Sequence, residues 1–211
     1  MIKAIIFDMD GVLIDAREWH YEALNKALRL FGFDISRYEH LTSYDGLPTR
    51  KKLEMLTIER GLPRELHDFI NELKQSFTTV MVHNYCKPRF SHEYALSGLK
   101  ERGYKIAVAS NSIRSTVDLM MNKAHLLTYM EFCLSNQDVI NAKPDPEIYM
   151  KAVARLGLTS QECLIVEDNE NGIKAAVGSG AHLMVVKDVQ EVTLENIIAR
   201  ISEINSINLL Q

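Results

Sequence analysis

The sequence predicts an α/β fold, a doubly wound parallel sheet, with an inserted α-helical cap domain. Short apolar runs alternate with amphipathic helical segments over residues 90–211, a pattern typical of a parallel sheet with helices on both faces. A long helical stretch without a second buried strand separates the first apolar run from this alternation. We therefore predict a core domain of residues 1–13 and 90–211 and a cap domain of residues 14–89.

The predicted core strands are short apolar runs that end in polar residues. The first covers residues 2–7 and precedes two acids and a glycine. The elements predicted after residue 88 are helix 91–102, strand 105–110, helix 115–123, strand 131–134, helix 146–156, strand 163–166, helix 170–179, strand 182–186 and helix 193–204. Because ligands of such sheets bind at the carboxyl ends of the strands, we expect the functional site at that edge.

The predicted cap contains apolar residues at helical spacing from about residue 17 to residue 87. Glycine and proline residues interrupt this spacing at Gly32, at residues 46–48 and at residues 61–63. We expect three or four helices that are inserted after the first strand and cover the site.

The composition excludes several functional classes. The chain has 211 residues, 46% of them hydrophobic, and a formal net charge of −4 without a basic stripe, so nucleic acid is not expected as a partner. No apolar run is long enough for a signal peptide or a membrane span. The three cysteines are odd in number, which favours unpaired thiols in a reducing compartment. We expect a cytoplasmic protein that is a monomer or a weak homo-oligomer.

Polar side chains follow three of the predicted strands and lie in one crossover between strands. They are Asp8 and Asp10 after the first strand, Ser110 and Asn111 after the second, Lys143 in a later crossover, and Glu167 and Asp168 at the end of the fourth. Since the carboxyl ends of parallel strands meet at one edge of a sheet, these groups can converge on a common site.

The predicted convergence suits an anionic phosphoryl group. Asp8 and Asp10 are two residues apart and can reach one pocket, where Asp168 adds a third acid. A hard cation such as Mg²⁺ relieves the repulsion among these acids. Lys143 adds a positive charge, and Ser110 can donate a hydrogen bond to phosphoryl oxygens. We therefore predict a magnesium site that binds a small phosphorylated metabolite.

Each motif taken alone also has a structural interpretation. Acids after a strand often cap a turn, and serine and asparagine are ordinary turn residues. Asp145 suits a helix N-cap and Pro146 a first helical position. The joint order and spacing of the motifs favour the functional interpretation.

The motifs together resemble the haloacid dehalogenase superfamily, specifically its phosphatases that are similar to β-phosphoglucomutase and carry a helical cap after the first strand. The segments that carry the resemblance are residues 7–13, 109–111, 143–147, 166–168 and 171–176. The resemblance spans the whole chain.

The resemblance implies roles for the motif residues. Asp8 would be the nucleophile that forms a covalent aspartyl-phosphate, and Asp10 would be the acid/base. Mg²⁺ would be held by the carboxylates of Asp8 and Asp168 and the backbone carbonyl of Asp10, with Glu167 binding directly or through water. The residues that would hold the phosphoryl oxygens are Ser110, Asn111 and Lys143.

Rival chemistries of the superfamily are disfavoured. True dehalogenases lack the second acid, which is present here as Asp10. Phosphonate hydrolysis uses a cap lysine that forms an imine, and neither Lys51 nor Lys52 lies in such a motif. A receiver or binding module that is phosphorylated for signalling shares the acids and the lysine, but it needs no cap.

The choice between a phosphatase and a mutase depends on the cap. β-Phosphoglucomutase carries a threonine and a histidine that gate the acid/base, and this sequence has Ala16 and His20 at the matching places. In the loop of residues 44–53, which resembles the substrate-specificity loop, Asp45 replaces a lysine and the arginine lies one position later, at Arg50.

The cap therefore departs from the mutase pattern. We predict an enzyme, a phosphoric monoester hydrolase that acts on a small organic phosphate such as a sugar phosphate or a nucleotide-related monoester. A phosphosugar mutase is the alternative. The cap residues expected to meet the substrate are His20, Arg50 and Gly46, because glycine permits close approach of the backbone.

Overall fold

A computed structural model of the chain describes residues 1–208. The strands within these residues are β1 (Ala4–Phe7), β2 (Lys105–Ala109), β3 (Phe132–Leu134), β4 (Cys163–Glu167) and β5 (His182–Val185). They form a parallel sheet in the order β3-β2-β1-β4-β5. The first strand of the chain therefore lies at the centre, and the chain winds outward from it in both directions. This order confirms the predicted doubly wound parallel sheet.

The helices follow the predicted spacing, with ends that differ by a few residues from the prediction. The α-helices, of which α2 is a short segment, are α1 (Arg17–Arg29), α2 (Arg37–Glu39), α3 (Thr49–Arg60), α4 (His67–Tyr85), α5 (Phe90–Glu101), α6 (Arg114–Lys123), α7 (Glu147–Leu156), α8 (Glu170–Gly178) and α9 (Leu194–Asn208). A π-helix covers His40–Tyr44, and 3₁₀ turns cover Arg64–Leu66, Leu127–Tyr129, Asn136–Asp138 and Ser160–Glu162. None of the helices among the described residues has the length and apolar character that crossing a membrane requires.

The chain divides into two compact units. One contains Met1–Asp15 and the described residues from Lys87 onward, and it includes the whole sheet. The other, Ala16–Cys86, is helical. The sequence predicts domain boundaries at residues 13 and 90. That these boundaries separate independent domains stays a prediction.

The sheet unit positions three strand ends at one level. Phe7, the last residue of β1, pairs with Val108 on one side and with Val166 on the other. β1 is fully buried, because a parallel sheet in an α/β fold is covered on both faces. The residues that follow β1, β2 and β4 therefore emerge together at the carboxyl edge of the sheet.

One face of the sheet packs against α7 and α8. Ala4 and Ile6 of β1 share an apolar cluster with Ile148 of α7 and Ala176 of α8. The side chains of β1 alternate between faces, so this cluster takes every second residue of the strand. The close packing holds α7 beside the carboxyl edge of β1 and β4.

The helical unit has its own core. Leu28 of α1, Leu53 of α3 and Ile70 of α4 are fully buried in one apolar cluster. The buried amide of Asn25 donates to the carbonyl of Ile35 at 2.8 Å and accepts from its N–H at 2.7 Å. These bonds satisfy the backbone of the connection after α1, which would otherwise be costly to bury.

The cysteines are free, as the sequence predicts: Cys86, Cys133 and Cys163 form no disulfide. Burial raises the pKa of the Cys133 and Cys163 thiols to about 11. Both therefore stay protonated and poorly nucleophilic at neutral pH.

Candidate active site

The carboxyl edge of β1, β2 and β4 brings together the acids that the sequence singles out. Asp8 follows β1, Glu167 ends β4 and Asp168 follows it. One carboxylate oxygen from each of these residues lies within 4.8 Å of the others. Asp8 and Glu167 are buried, with 8% and 1% of their surfaces exposed.

This acidic cluster suits a hard cation. Burial raises the pKa of Asp8 well above its usual value; the charge of Lys143 opposes this shift, and the charges of Glu167, Asp168 and Asp10 add to it. Crowded carboxylates of this kind are stabilised in the ionised form when they share a divalent cation. An all-oxygen set without histidine or cysteine fits a hard cation such as Mg²⁺ better than Zn²⁺.

Lys143 lies in the middle of the buried acids, with 4% of its surface exposed. Its Nζ donates to Asp8 Oδ1 at 2.6 Å and to Glu167 Oε1 at 2.7 Å. Burial alone would lower the pKa of the ammonium, but the charges of Asp8 and Glu167 outweigh burial and raise it. Lys143 therefore stays protonated beside Asp8.

Ser110 and Asn111 connect the end of β2 to the lysine. The Asn111 amide donates to the Lys143 carbonyl at 3.2 Å and accepts from the Lys143 N–H at 3.0 Å. Ser110 is buried, and its Oγ accepts from the N–H of Ser112 at 3.0 Å. Because Oγ is the acceptor in that bond, the hydroxyl can still donate to an anion. Asn111 thus holds the lysine backbone in addition to the phosphate role predicted for it.

Asp10 lies in the turn after β1, in contact with the loop that follows β2. Its Oδ2 accepts from the Ser112 hydroxyl at 2.8 Å. The backbone also fixes this turn, since the N–H of Gly11 donates to the carbonyl of Ile14 at 2.7 Å. The Asp10 carboxylate is therefore oriented by a group that belongs to a different strand end.

Glu167 is held from several sides. Its Oε2 accepts from the backbone N–H groups of Asp168 at 3.1 Å and Asn169 at 3.4 Å. Gly172 of α8 lies so close that a Cβ added there would be 1.8 Å from Glu167 Oε1. Only glycine leaves space for this carboxylate.

The helical unit contains the cap candidates. His20 Nδ1 lies 3.2 Å from Lys74 Nζ, so the ammonium donates and the imidazole accepts. Gly46 has a φ of +67°, a conformation that glycine adopts without strain. Arg50 is exposed and lies 3.6 Å from Asp68. The predicted substrate roles of His20, Gly46 and Arg50 stay predictions.

Asp45, which replaces the lysine of the mutase pattern, faces a histidine. Its Oδ1 lies 3.6 Å from His40 Nε2. Burial, with the nearby charge of Lys52, lowers the pKa of His40 to about 4. The imidazole is therefore neutral at pH 7, and this contact does not neutralise the Asp45 charge.

Comparison with known proteins decides the family. The profile described as haloacid dehalogenase-like hydrolase matches residues 5–186. The chain belongs to this family. The match contains every residue of β1 except Ala4, all of β2 to β5 and every core motif residue, and it confirms the resemblance inferred from the motifs.

Relatives of this haloacid dehalogenase-like hydrolase carry phosphatase names. The phosphorylated carbohydrates phosphatase of Thermotoga maritima is 28% identical over 183 residues, which are 85% of this chain and 82% of that protein. The phosphoglycolate phosphatase of Aquifex aeolicus is 28% identical over 182 residues, with the same two coverages of 85% and 82%.

A solved structure supports the fold. The β-phosphoglucomutase of Clostridium difficile superposes with a TM-score of 0.82 at 24% identity, over 96% of this chain and 98% of that one. At this identity the likeness shows the shared fold alone.

Sequence reasoning did not assign roles to several residues of this hydrolase that lie against the predicted site residues. They are Lys74, Ser112, Tyr149 and Gly172. Ser112 directly follows Ser110 and Asn111, so its position at a strand end was a usable clue. Tyr149 and Lys74 lie on helices, where an aromatic or a basic residue carries no distinguishing pattern.

Proposed function

We propose that the chain is a Mg²⁺-dependent phosphatase that hydrolyses a small organic phosphate monoester through an aspartyl-phosphate on Asp8. The observation that carries the proposal is the buried contact of Lys143 Nζ with Asp8 Oδ1, at 2.6 Å, beside the acids of β4. A protonated lysine next to a buried carboxylate at a sheet edge is suited to an anionic substrate that reacts at that carboxylate.

In the proposed first half-reaction, a carboxylate oxygen of Asp8 attacks phosphorus and the bond from phosphorus to the ester oxygen breaks. Asp10 gives its proton to the departing oxygen, which leaves as an alcohol. In the second half-reaction a water molecule attacks phosphorus and Asp10 takes its proton. The bond to Asp8 breaks, and inorganic phosphate leaves with the carboxylate restored.

Lys143 would orient the nucleophile in these steps. It binds Oδ1 of Asp8, and because a carboxylate is planar this bond also sets the direction of the second oxygen. The same positive charge would stabilise the negative charge that collects on the phosphoryl oxygens. Ser110 would donate to one of those oxygens from the end of β2.

The residues that would hold Mg²⁺ are Asp8 and Asp168, with the backbone carbonyl of Asp10 and with Glu167 beside them. One carboxylate oxygen from each of Asp8, Glu167 and Asp168 lies within 4.8 Å of the other two. When bound, the cation would neutralise these acids and polarise the phosphoryl group.

The names of the relatives and the predicted cap residues support the proposed substrate class. The two relatives described above are named for phosphorylated carbohydrates and for phosphoglycolate, both of which are small phosphorylated metabolites. His20, Gly46 and Arg50 are the candidates for contact with the part of the substrate beyond the phosphate. The contact of Arg50 with Asp68 makes Arg50 the weakest of the three.

A panel assay tests the proposal and separates it from a mutase. Purified protein is incubated with Mg²⁺ and with sugar phosphates, phosphoglycolate and nucleoside monophosphates, and both free phosphate and isomerised sugar phosphate are measured. We expect phosphate release that stops when EDTA removes the cation and returns when Mg²⁺ is restored. Isomerisation without phosphate release would overturn the proposal in favour of a phosphosugar mutase.

Ser112→Ala should lower kcat by roughly 5-fold, because the loss of one hydrogen bond is worth about 1 kcal/mol in the orientation of Asp10. The measurement is steady-state release of phosphate from the best ester of the panel. Ser202→Ala is the matched control, since its hydroxyl donates to the Ile198 carbonyl on the exposed face of α9. Equal rates for Ser112→Ala and wild type would show that Asp10 does not need this bond.

Gly172→Ala should lower kcat/KM by roughly 10- to 100-fold, because its Cβ must displace the Glu167 carboxylate and a shift of about 1 Å at a catalytic site is enough for such a loss. Gly178→Ala on the same helix is the control, since the three atoms nearest its Cβ all belong to Pro146, the closest at 3.2 Å, and none belongs to the acid cluster. If both variants keep wild-type kcat/KM, Glu167 has more freedom than the structure indicates.

A further inference from the structure

Tyr149 is an unusual member of the apolar core. It lies in the first turn of α7, is fully buried, and shares its cluster with Ile148, Ala152 and Ile165. A buried tyrosine hydroxyl needs polar partners, since an unsatisfied one costs free energy. The partners here are the two most deeply buried ionisable groups of the candidate active site.

The hydroxyl of Tyr149 lies between Lys143 and Glu167. It accepts from Lys143 Nζ at 2.7 Å and donates to Glu167 Oε1 at 2.5 Å. Burial, with the charges of Glu167 and Asp8, raises the pKa of the phenol well above its usual value, so the hydroxyl keeps its proton. A phenylalanine could fill the same volume but could make neither bond.

The ammonium of Lys143 is fully used in this arrangement. It has three N–H donors, and its three acceptors at 2.6 to 2.7 Å are Asp8 Oδ1, Glu167 Oε1 and Tyr149 Oη. Rotation about the last carbon–nitrogen bond would break all three bonds at once. The direction of the N–H that reaches Asp8 is therefore set by the other two.

Glu167 alone would hold the ammonium less firmly. Its Oε1 receives donors from both Lys143 and Tyr149, while Oε2 is occupied by backbone N–H groups of the turn after β4. The tyrosine thus closes a triangle of hydrogen bonds among Lys143, Glu167 and itself. Of the three acceptors of the ammonium, only Asp8 is changed by the proposed reaction.

We propose that Tyr149 is a positioning residue that fixes the Lys143 ammonium on the nucleophile Asp8. Its catalytic consequence rests on the proposed function, whereas its effect on the ammonium does not. When Asp8 accepts the phosphoryl group its carboxylate loses negative charge and attracts the lysine less. The bond to Tyr149 then keeps the ammonium from moving to Glu167 alone.

The test is Tyr149→Phe, which retains the buried ring. The control is Tyr21→Phe, which removes a hydroxyl that donates to the Ile35 carbonyl at 3.1 Å in the helical unit. The first readout is the ¹⁵N–¹H NMR resonance of the Lys143 ammonium, assigned by its loss in Lys143→Met. We expect a protected resonance in wild type and in Tyr21→Phe, and a shifted or exchange-broadened one in Tyr149→Phe.

The second readout is steady-state kinetics. Hydrogen bonds to charged groups are stronger than neutral ones. Loss of the Tyr149 hydroxyl should therefore lower kcat roughly 10-fold or more and change KM by less than about twofold. Reduced folding would lower the amount of active enzyme but would not alter the Lys143 resonance of the folded fraction. Circular dichroism of both variants at the assay temperature measures that fraction.

The outcomes separate this inference from the proposed function. A Lys143 resonance that is the same in Tyr149→Phe and wild type, or an unchanged kcat, overturns the positioning role. A wild-type protein that hydrolyses no ester of the panel overturns the proposed function, and the resonance still decides whether Tyr149 holds the ammonium.

Discussion

Asp8→Asn should abolish turnover, with kcat lowered by about 10⁴-fold or more, because an amide cannot attack phosphorus and losses of this size follow removal of a catalytic nucleophile. The same variant should also fail to retain label from a ³²P-phosphate ester after acid quenching, whereas wild-type protein retains it as the aspartyl-phosphate. Phosphate release and retained label are measured on the same samples.

The control for this variant is Asp118→Asn on α6, whose carboxylate is largely exposed and lies 3.5 Å from Arg114. It should keep wild-type turnover. Circular dichroism checks that both proteins are folded. Substantial turnover by folded Asp8→Asn would refute a covalent intermediate on this residue.

Lys143→Met should lower kcat by about 10³-fold. It should also lower the free energy of unfolding by about 3–5 kcal/mol at neutral pH, because it leaves Asp8 and Glu167 buried without the lysine ammonium. The loss of stability should depend on pH. The pKa of Asp8 in the folded protein already lies above the value of about 3.9 expected in the unfolded chain, and loss of the ammonium raises it further. A group whose folded pKa is raised stabilises the folded protein less as the pH rises, and its contribution is lost as the pH passes through the folded pKa.

The measurement is the difference in melting temperature between wild type and Lys143→Met across a pH series. We expect a small difference near the unfolded pKa of about 3.9 and a larger one toward neutral pH. Lys174→Met is the matched control, because Lys174 pairs with Glu170 on the exposed surface of α8, where such pairs contribute about 0–1 kcal/mol. A destabilisation by Lys143→Met that is equal at all pH values would exclude ionisation of Asp8 as its cause.

Much of the core could be predicted from the sequence. Apolar runs identify buried strands from local sequence alone. The run before Asp8 is β1, although this strand begins at Ala4 and not at residue 2. The residues after β1, β2 and β4 converge because parallel strands in register end together. Local pattern and topology were therefore sufficient to place Asp8, Ser110 and Glu167 at one edge of the sheet, whereas Lys143 reaches Asp8 from the crossover before α7.

The partners of those residues could not be predicted in the same way. Tyr149 occupies an inward position of an amphipathic helix, where the pattern identifies burial but not the direction of a hydroxyl. Gly172 lies in the segment 171–176 that carries the resemblance, but its role comes from a close approach: a Cβ there would lie 1.8 Å from Glu167 Oε1, and no sequence pattern encodes that distance. In the helical unit, contact of Arg50 with substrate stays a prediction, and its contact with Asp68 depends on how α3 and α4 pack.

The central place of β1 in the sheet has a consequence for synthesis of the chain on the ribosome. β1 has both of its neighbours, β2 and β4, far along the chain, and Asp8 meets Lys143 across a separation of 135 residues. Contacts this distant in sequence form slowly, so the apolar segment of β1 stays exposed until most of the protein has been translated. The nascent chain should therefore need protection from aggregation at β1, and Asp8 should acquire its lysine only after the middle of the sheet has closed.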